Sequence, residues 1–237
     1  MAGRRRRPLI IGLAVVLWIL SGYCIVRLID VWESLAYERA VKAIFQEVLG
    51  RIGEVRGLSP PANVELRIVT VDWVIENWGR RPAEEALEEI KVQEEIYRAL
   101  FLIPENVSLL DVRTQQAGYI VAAALNNQIY VVKEYFDPYN QVEARKILAH
   151  ELTHILQGTY FQSPRLGSHD SRQAWSALVE GDAEFTADMY VGGGLFSVSA
   201  RLCGTAAQLL LIYPSEIPEP LMEIWLFPYR YGAVSYT

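Results

Sequence analysis

Cysteine and histidine are both scarce in this 237-residue chain, which has two of the first and three of the second. Cys24 falls inside an apolar run and Cys203 lies far along the chain, so nothing points to an intramolecular disulfide. A body without disulfides is allowed on either side of a membrane, and cysteine usage leaves the compartment open. Carboxylates are missing from residues 1–29, which hold five of the 22 Lys and Arg: Arg4, Arg5, Arg6, Arg7 and Arg27. The other 17 basic residues face 28 acidic ones. Phosphate binding needs clustered Lys and Arg, so an acidic body excludes nucleic acid as a partner. There is no internal repeat and no low-complexity tract. Residues are 51% hydrophobic and 21% charged, a folding rather than a disordered composition.

Charge is also absent from Pro8 to Val26, a run dominated by Leu, Ile, Val, Ala and Trp. Its 19 residues would span ~28 Å as a helix, close to a ~30 Å hydrocarbon core. Four consecutive arginines precede it, and positive charge stays on the cytoplasmic side. The expectation is a single-pass cell-membrane anchor with a cytoplasmic N-terminus and the body outside the cytoplasm. A cleaved signal peptide and a buried soluble helix are the alternatives. A signal's apolar stretch is only ~7–15 residues and ends in small residues. Ser21-Gly22-Tyr23 ends in a large residue, no A-x-A pattern follows, and Tyr23 also spoils a lipoprotein signal before Cys24. Length and missing cleavage chemistry favour the retained anchor. The chain is expected to divide into a basic cytoplasmic tail (1–7), a transmembrane signal-anchor (8–29), a linker helix and loop (30–62) and a folded domain (63–237).

Beyond the anchor, Val31, Leu35, Val41, Ile44, Phe45, Val48 and Leu49 recur at helical spacing, and Gly50, Gly53 and Gly57 mark the break. Val64, Leu66 and Ile68 alternate with Glu65 and Arg67, as in a half-buried strand. A helix is expected from Pro82 to Pro104, with Leu87, Ile90, Tyr97 and Leu100-Phe101 on its apolar face. Tyr119–Ala123 and Ile129–Val132 read as strands of a hairpin turning at Asn126-Asn127, since Asn tolerates a left-handed backbone.

Asp137-Pro138 and Asn140 to Glu143 are helix-start signals, followed by the apolar stripe Ile147, Leu148, Leu152, Ile155 and Leu156 up to Gly158. Within it lies His150-Glu151-Leu152-Thr153-His154. Residues four apart share a helix face, so both imidazoles can reach one ion, and Glu151 stands beside it as a base. The pattern also arises by chance in amphipathic helices whose histidines are ordinary core or surface residues, so a third ligand decides. The pattern that ends in a third histidine fails, with Gln157 at its glycine and Tyr160 at its histidine.

A second helix is expected over Ser171–Val191, with Trp175, Leu178, Val179, Phe185 and Met189 buried. Glu180, Glu184 and Asp188 are spaced four apart and share a face. Such a row is either a solvated acidic surface or, if turned inward, needs a positive answer, which a bound Zn²⁺ would give. Gly181 removes a side chain where two helices would approach closely.

Ala149–Gln157 (A-H-E-L-T-H-I-L-Q) and Ala177–Phe185 (A-L-V-E-G-D-A-E-F) resemble the two signature segments of gluzincin-type metallopeptidases, the thermolysin-like branch of the zincins. The resemblance is specific over Ile147 to Ala187. It implies an α+β zincin-like metallopeptidase domain, a small mixed sheet plus active-site helices, over residues 63–237. It implies Zn²⁺ held by His150, His154 and Glu180, Glu151 as general base, and Glu184 supporting a metal-binding histidine, with Asp182 as the rival support. An edge strand would align a peptide or protein substrate, and Ile129–Val132 is the expected edge. The oxyanion donor would be a Tyr or His after the third ligand. Tyr231 is the expected donor, with Tyr229 and His169 (in a Gly-Ser-His-Asp loop) as alternatives. Relatives typically continue past the Tyr-Gly segment, so the domain is expected to be C-terminally incomplete or completed by another chain.

The expected activity is therefore zinc-dependent hydrolysis of peptide bonds. A membrane-tethered binding protein that keeps the fold and metal site without catalysis is the alternative, and Glu151 argues against it because structural zinc needs no base. An intramembrane protease is disfavoured by Glu143, Arg145 and Lys146 around the motif.

Overall fold

The structure, a computed structural model, describes residues 6–79, 84–117, 120–192 and 217–232. The expected helix start at Pro82, the strand start at Tyr119, Cys203 and residues 1–5 of the basic tail lie outside them. The chain forms two compact units, Met1–Ala43 and Ile44–Thr237.

Helix α1 (Arg6–Arg56) is one continuous element, so no break separates the apolar segment from the expected linker helix. In its N-terminal part Val15 to Val26 are exposed, Trp18 by 81%. One long apolar helix near the N-terminus is compatible with membrane anchoring. Gly50 and Gly53 do not end it: glycine in a helix costs only ~1 kcal/mol, which packing overrides. Ile44, Phe45, Val48 and Ile52 are buried within the second unit. The helix stops at Gly57, whose φ of 74° suits a residue without Cβ.

In the second unit β1 (Glu65–Val69) is followed by three helices that the sequence only partly announces. These are α2 (Val71–Asn77), α3 (Glu84–Ala99) and α4 (Leu109–Ala117). Ile90 and Tyr97 of α3 are buried as expected, but the helix ends before Leu100 and Phe101, which are exposed. The hairpin forms as read: β2 (Ala122–Leu125) pairs antiparallel with β3 (Gln128–Val132), and Asn126 takes the left-handed turn at φ 56°.

Strand order is β1-β3-β2, with β1 parallel to β3. This corrects the expectation that Ile129–Val132 is the edge. β3 is the central strand, Ile129 to Val132 are all buried, and the edges are β1 and β2, of which β2 packs against α5. A near-continuous apolar run is what a strand covered on both faces requires.

Helix α5 (Gln141–Tyr160) packs against β2, β3 and α6 (His169–Tyr190), which in turn packs on α7 (Glu219–Tyr231). Together the described elements make a mixed α+β domain with a three-stranded sheet. A close approach of α6 to the end of α7 exists, and the glycine that permits it is Gly232. A Cβ on Gly232 would lie 2.9 Å from the Gly181 nitrogen and collide with the Ala177 carbonyl oxygen.

Candidate metal centre

Helix α6 buries a different face from the one its apolar residues suggest. Leu178 and Met189 are each 43% exposed, while Gly181, Asp182, Ala183, Glu184, Ala187 and Asp188 are buried. Three carboxylates are thus turned into the protein, where they require positive or donor partners. α5 supplies them.

At the front of the row, three atoms converge. The His150 Nε2 lies 3.2 Å from Glu180 Oε2, the His154 Nε2 lies 3.4 Å from the same oxygen, and the two Nε2 atoms are 3.1 Å apart. Ligands arranged tetrahedrally around one ion at ~2.0–2.1 Å stand ~3.3–3.4 Å from each other. The triangle therefore has the dimensions of one face of such a tetrahedron, and His150, His154 and Glu180 could hold a metal ion.

The tautomers support the same conclusion. Gln157 donates from Nε2 to the Val179 carbonyl (2.8 Å) and to Asp182 Oδ2 (2.9 Å), so its Oε1 must face His154. The His154 Nδ1 lies 2.8 Å from that oxygen and is the donor. His150 Nδ1 likewise points at Glu184 Oε2, 3.4 Å away. Each ring then presents the Nε2 lone pair inward, beside a carboxylate oxygen. In these neutral tautomers three acceptors stand within hydrogen-bonding distance and repel one another unless a cation, whether a proton on an imidazole or a metal ion, stands among them.

Electrostatics follow this geometry. Burial opposes charge on both histidines, but the hydrogen bonds they donate to Glu180, and for His150 also to Glu184, outweigh it and raise both pKa values. Burial would raise Glu180, yet its hydrogen bonds with His150 and His154 and their charges hold it far below the usual carboxylate range. Glu184 is held at about 2: burial opposes this, and the hydrogen bond and charge of His150 with the charge of Lys146 prevail. Glu151 goes the other way. Its burial raises the pKa, against the pull of the two histidines and a backbone hydrogen bond with Ala124 of β2.

Two supporting residues escaped the sequence reading. Lys146 Nζ bridges Glu184 Oε1 (2.5 Å) and Asp188 Oδ1 (3.0 Å), so a lysine as well as a metal answers the acidic row. The signal was present: Lys146 precedes His150 by four residues, as Glu184 follows Glu180 by four. Gln157, noted only as a departure from another motif, orients His154. Asp182 touches neither histidine and acts on His154 through Gln157.

Of the two candidate tyrosines, Tyr229 lies against the site, its ring stacked over His150 at 6.4 Å. Tyr231 is 55% exposed and packs on Phe227. His169 opens α6 behind the Ser168 capping box instead of sitting in a loop, and its Nε2 lies 3.0 Å from the Tyr97 hydroxyl of α3.

A cleft of about 760 Å³ runs from His154 along the C-terminal half of α5 to the hairpin, with Asn63, Glu65, Ala124, Asn127 and Thr159 in its walls. Ala124 of β2, an edge strand among the described residues, lies in its wall. Val132 N donates to Val121 O, so with Ala122 opposite Val131 the backbone groups of Ala122 and Ala124 point away from β3. Comparison of the chain with protein-family models, curated proteins and solved structures gives no match.

Proposed function

We propose that the chain is a membrane-anchored, zinc-dependent metallopeptidase of the gluzincin type, with its N-terminus cytoplasmic and its second unit outside the cytoplasm. The observation that carries this reading is the convergence of His150 Nε2, His154 Nε2 and Glu180 Oε2 at 3.1–3.4 Å beside the partly buried carboxylate of Glu151, which is not one of the three. Two imidazoles and a carboxylate match the donor set of catalytic zinc, which leaves a further position open. Zn²⁺ held there supplies a Lewis acid that lowers the pKa of a water to near 7 and polarises a carbonyl.

The chain's own residues divide the remaining work. Glu151, its pKa raised by burial, accepts a proton from the attacking water and returns it to the leaving amine. The outward backbone groups of Ala122 and the outward carbonyl of Ala124, whose N–H is taken by Glu151, align an extended peptide in the cleft, and the small side chains of Ala122-Ala123-Ala124 leave it room. Tyr229, beside His150, is better placed than Tyr231 to donate to the developing oxyanion. Glu184 fixes the His150 ring.

Metal analysis of the full-length protein in detergent tests the reading. About one zinc per chain is expected in the wild type and a large loss in Glu180→Ala. Full retention of metal by that variant would remove the third ligand and with it the proposed site.

A further inference from the structure

Arg56 is the last residue of α1, and its guanidinium is directed into the body. Its Nε donates to Asp182, 3.0 Å from Oδ1 and 3.2 Å from Oδ2. Asp182 has an 8% exposed side chain and takes its other bond from Gln157 Nε2 at 2.9 Å. Gln157 Oε1 receives His154 Nδ1–H at 2.8 Å. A line of contacts therefore runs from the end of the long N-terminal helix to a proposed metal ligand.

We infer that Arg56 is a positioning residue for the metal centre, acting through Asp182 and Gln157 to fix the orientation and tautomer of His154. The inference rests on the metal-binding reading of His150, His154 and Glu180. Each link has a physical reason. An amide, unlike a carboxylate, supports an imidazole N–H only when its oxygen is the end facing the ring. That orientation holds because the Gln157 nitrogen is occupied by two pure acceptors, Asp182 and the Val179 carbonyl. Asp182 stays a buried acceptor because Arg56 answers its charge. Removing the guanidinium leaves that carboxylate without its counter-charge and free to turn toward water, and Gln157 loses one of the two groups that set its direction. His150 is supported independently, by Glu184 and Lys146. Both histidines are thus oriented from α5 and α6, but the line to His154 also reaches α1 through Arg56.

A second ion pair provides the comparison. Arg145 of α5 binds Glu47 of α1 through two contacts, at 2.9 and 3.0 Å, and reaches no metal ligand. It ties α1 to the body without entering the line to His154. Loss of a simple structural tie is therefore represented by Arg145→Met.

The experiment uses the full-length chain in detergent, with Co²⁺ as the metal, chelator competition for affinity and the visible ligand-field bands as a report on geometry. Arg56→Met is expected to weaken Co²⁺ binding about tenfold or more and to shift the bands, within the 10–100-fold range typical of groups that orient a ligand. Arg56→Lys should recover part of the affinity. Arg145→Met should lower the melting temperature and leave affinity and spectrum unchanged. Wild-type affinity within twofold and an unshifted spectrum in Arg56→Met would overturn the inference. If that variant fails to fold, Gln157→Leu decides, since wild-type binding in it overturns the inference equally. A wild-type chain that takes up no Co²⁺ overturns both the metal-site reading and this inference, whereas normal uptake with an indifferent Arg56→Met overturns this inference alone.

Discussion

Lys146 and Glu184 form an ion pair at 2.5 Å with only 14% and 7% of their side chains exposed, directly behind His150. Burial works against the charged lysine, but the charges and hydrogen bonds of Glu184 and Asp188 outweigh it and raise its pKa. Lys146→Met would leave the buried carboxylates of Glu184 and Asp188 without the lysine's charge. Breaking one side of such a pair costs about 3–5 kcal/mol, far more than an exposed pair would. The variant should therefore melt many degrees below the wild type, and thermal melts followed by circular dichroism would measure the loss. A melting temperature within a degree of the wild type would mean that the lysine is not needed there.

Glu184, bonded to His150 and paired with Lys146, gives a pH dependence to the metal-free protein. The folded-state pKa of Glu184 is lowered from 4.5 to about 2, so the folded state favours the ionised form. The stability it contributes is complete above about 4.5 and is lost as pH falls toward about 2. In chelator-treated protein, wild type should exceed Glu184→Gln in melting temperature most at pH 5–7, with the gap closing below about 4.5. A gap that widens on acidification would contradict the sign.

Much of this arrangement is legible because helix geometry is periodic. Spacing by four puts His150 over His154 and Glu180 over Glu184 whatever the rest of the fold does. What the spacing does not carry is which face of α6 turns inward. Leu178 and Met189 suggest one face, but the carboxylates win because Lys146 and His150 stand opposite them. Strand order is similarly silent in a pattern of alternation, although the unbroken apolar run Ile129–Val132 already argues for a covered strand. Gly50 and Gly53 read as a stop because glycine is a weak helix former, and contacts made by Ile44, Phe45, Val48 and Ile52 overrule them. Ser168 caps α6 with Ser171 in the place where Glu or Gln is usual, which hides the helix start and makes His169 look like a loop residue.

The free edge of β2 has a test of its own. Ala122 faces Val131 at a position whose N–H points away from the ladder, so a proline there removes an outward donor and no sheet hydrogen bond. Ala122→Pro should keep its fold and its metal while KM for a peptide substrate rises several-fold with kcat nearly unchanged. Equal KM values for variant and wild type would take β2 out of substrate alignment.

Glu151 separates chemistry from metal binding. It stands next to His150 in sequence yet is not among the three converging ligands, and its carboxylate is held toward β2 by the Ala124 backbone. Glu151→Gln preserves shape and removes the proton acceptor. It should bind zinc as well as the wild type, because no ligand changes, and lose about 10²–10⁴-fold in kcat, the usual contribution of a placed general base. Parallel measurement of metal content and peptide turnover distinguishes the outcomes. Loss of metal together with activity would make Glu151 part of the ligand sphere, and undiminished turnover would require a different proton acceptor. Only retention of the one with loss of the other fits a carboxylate that acts on water without holding the ion.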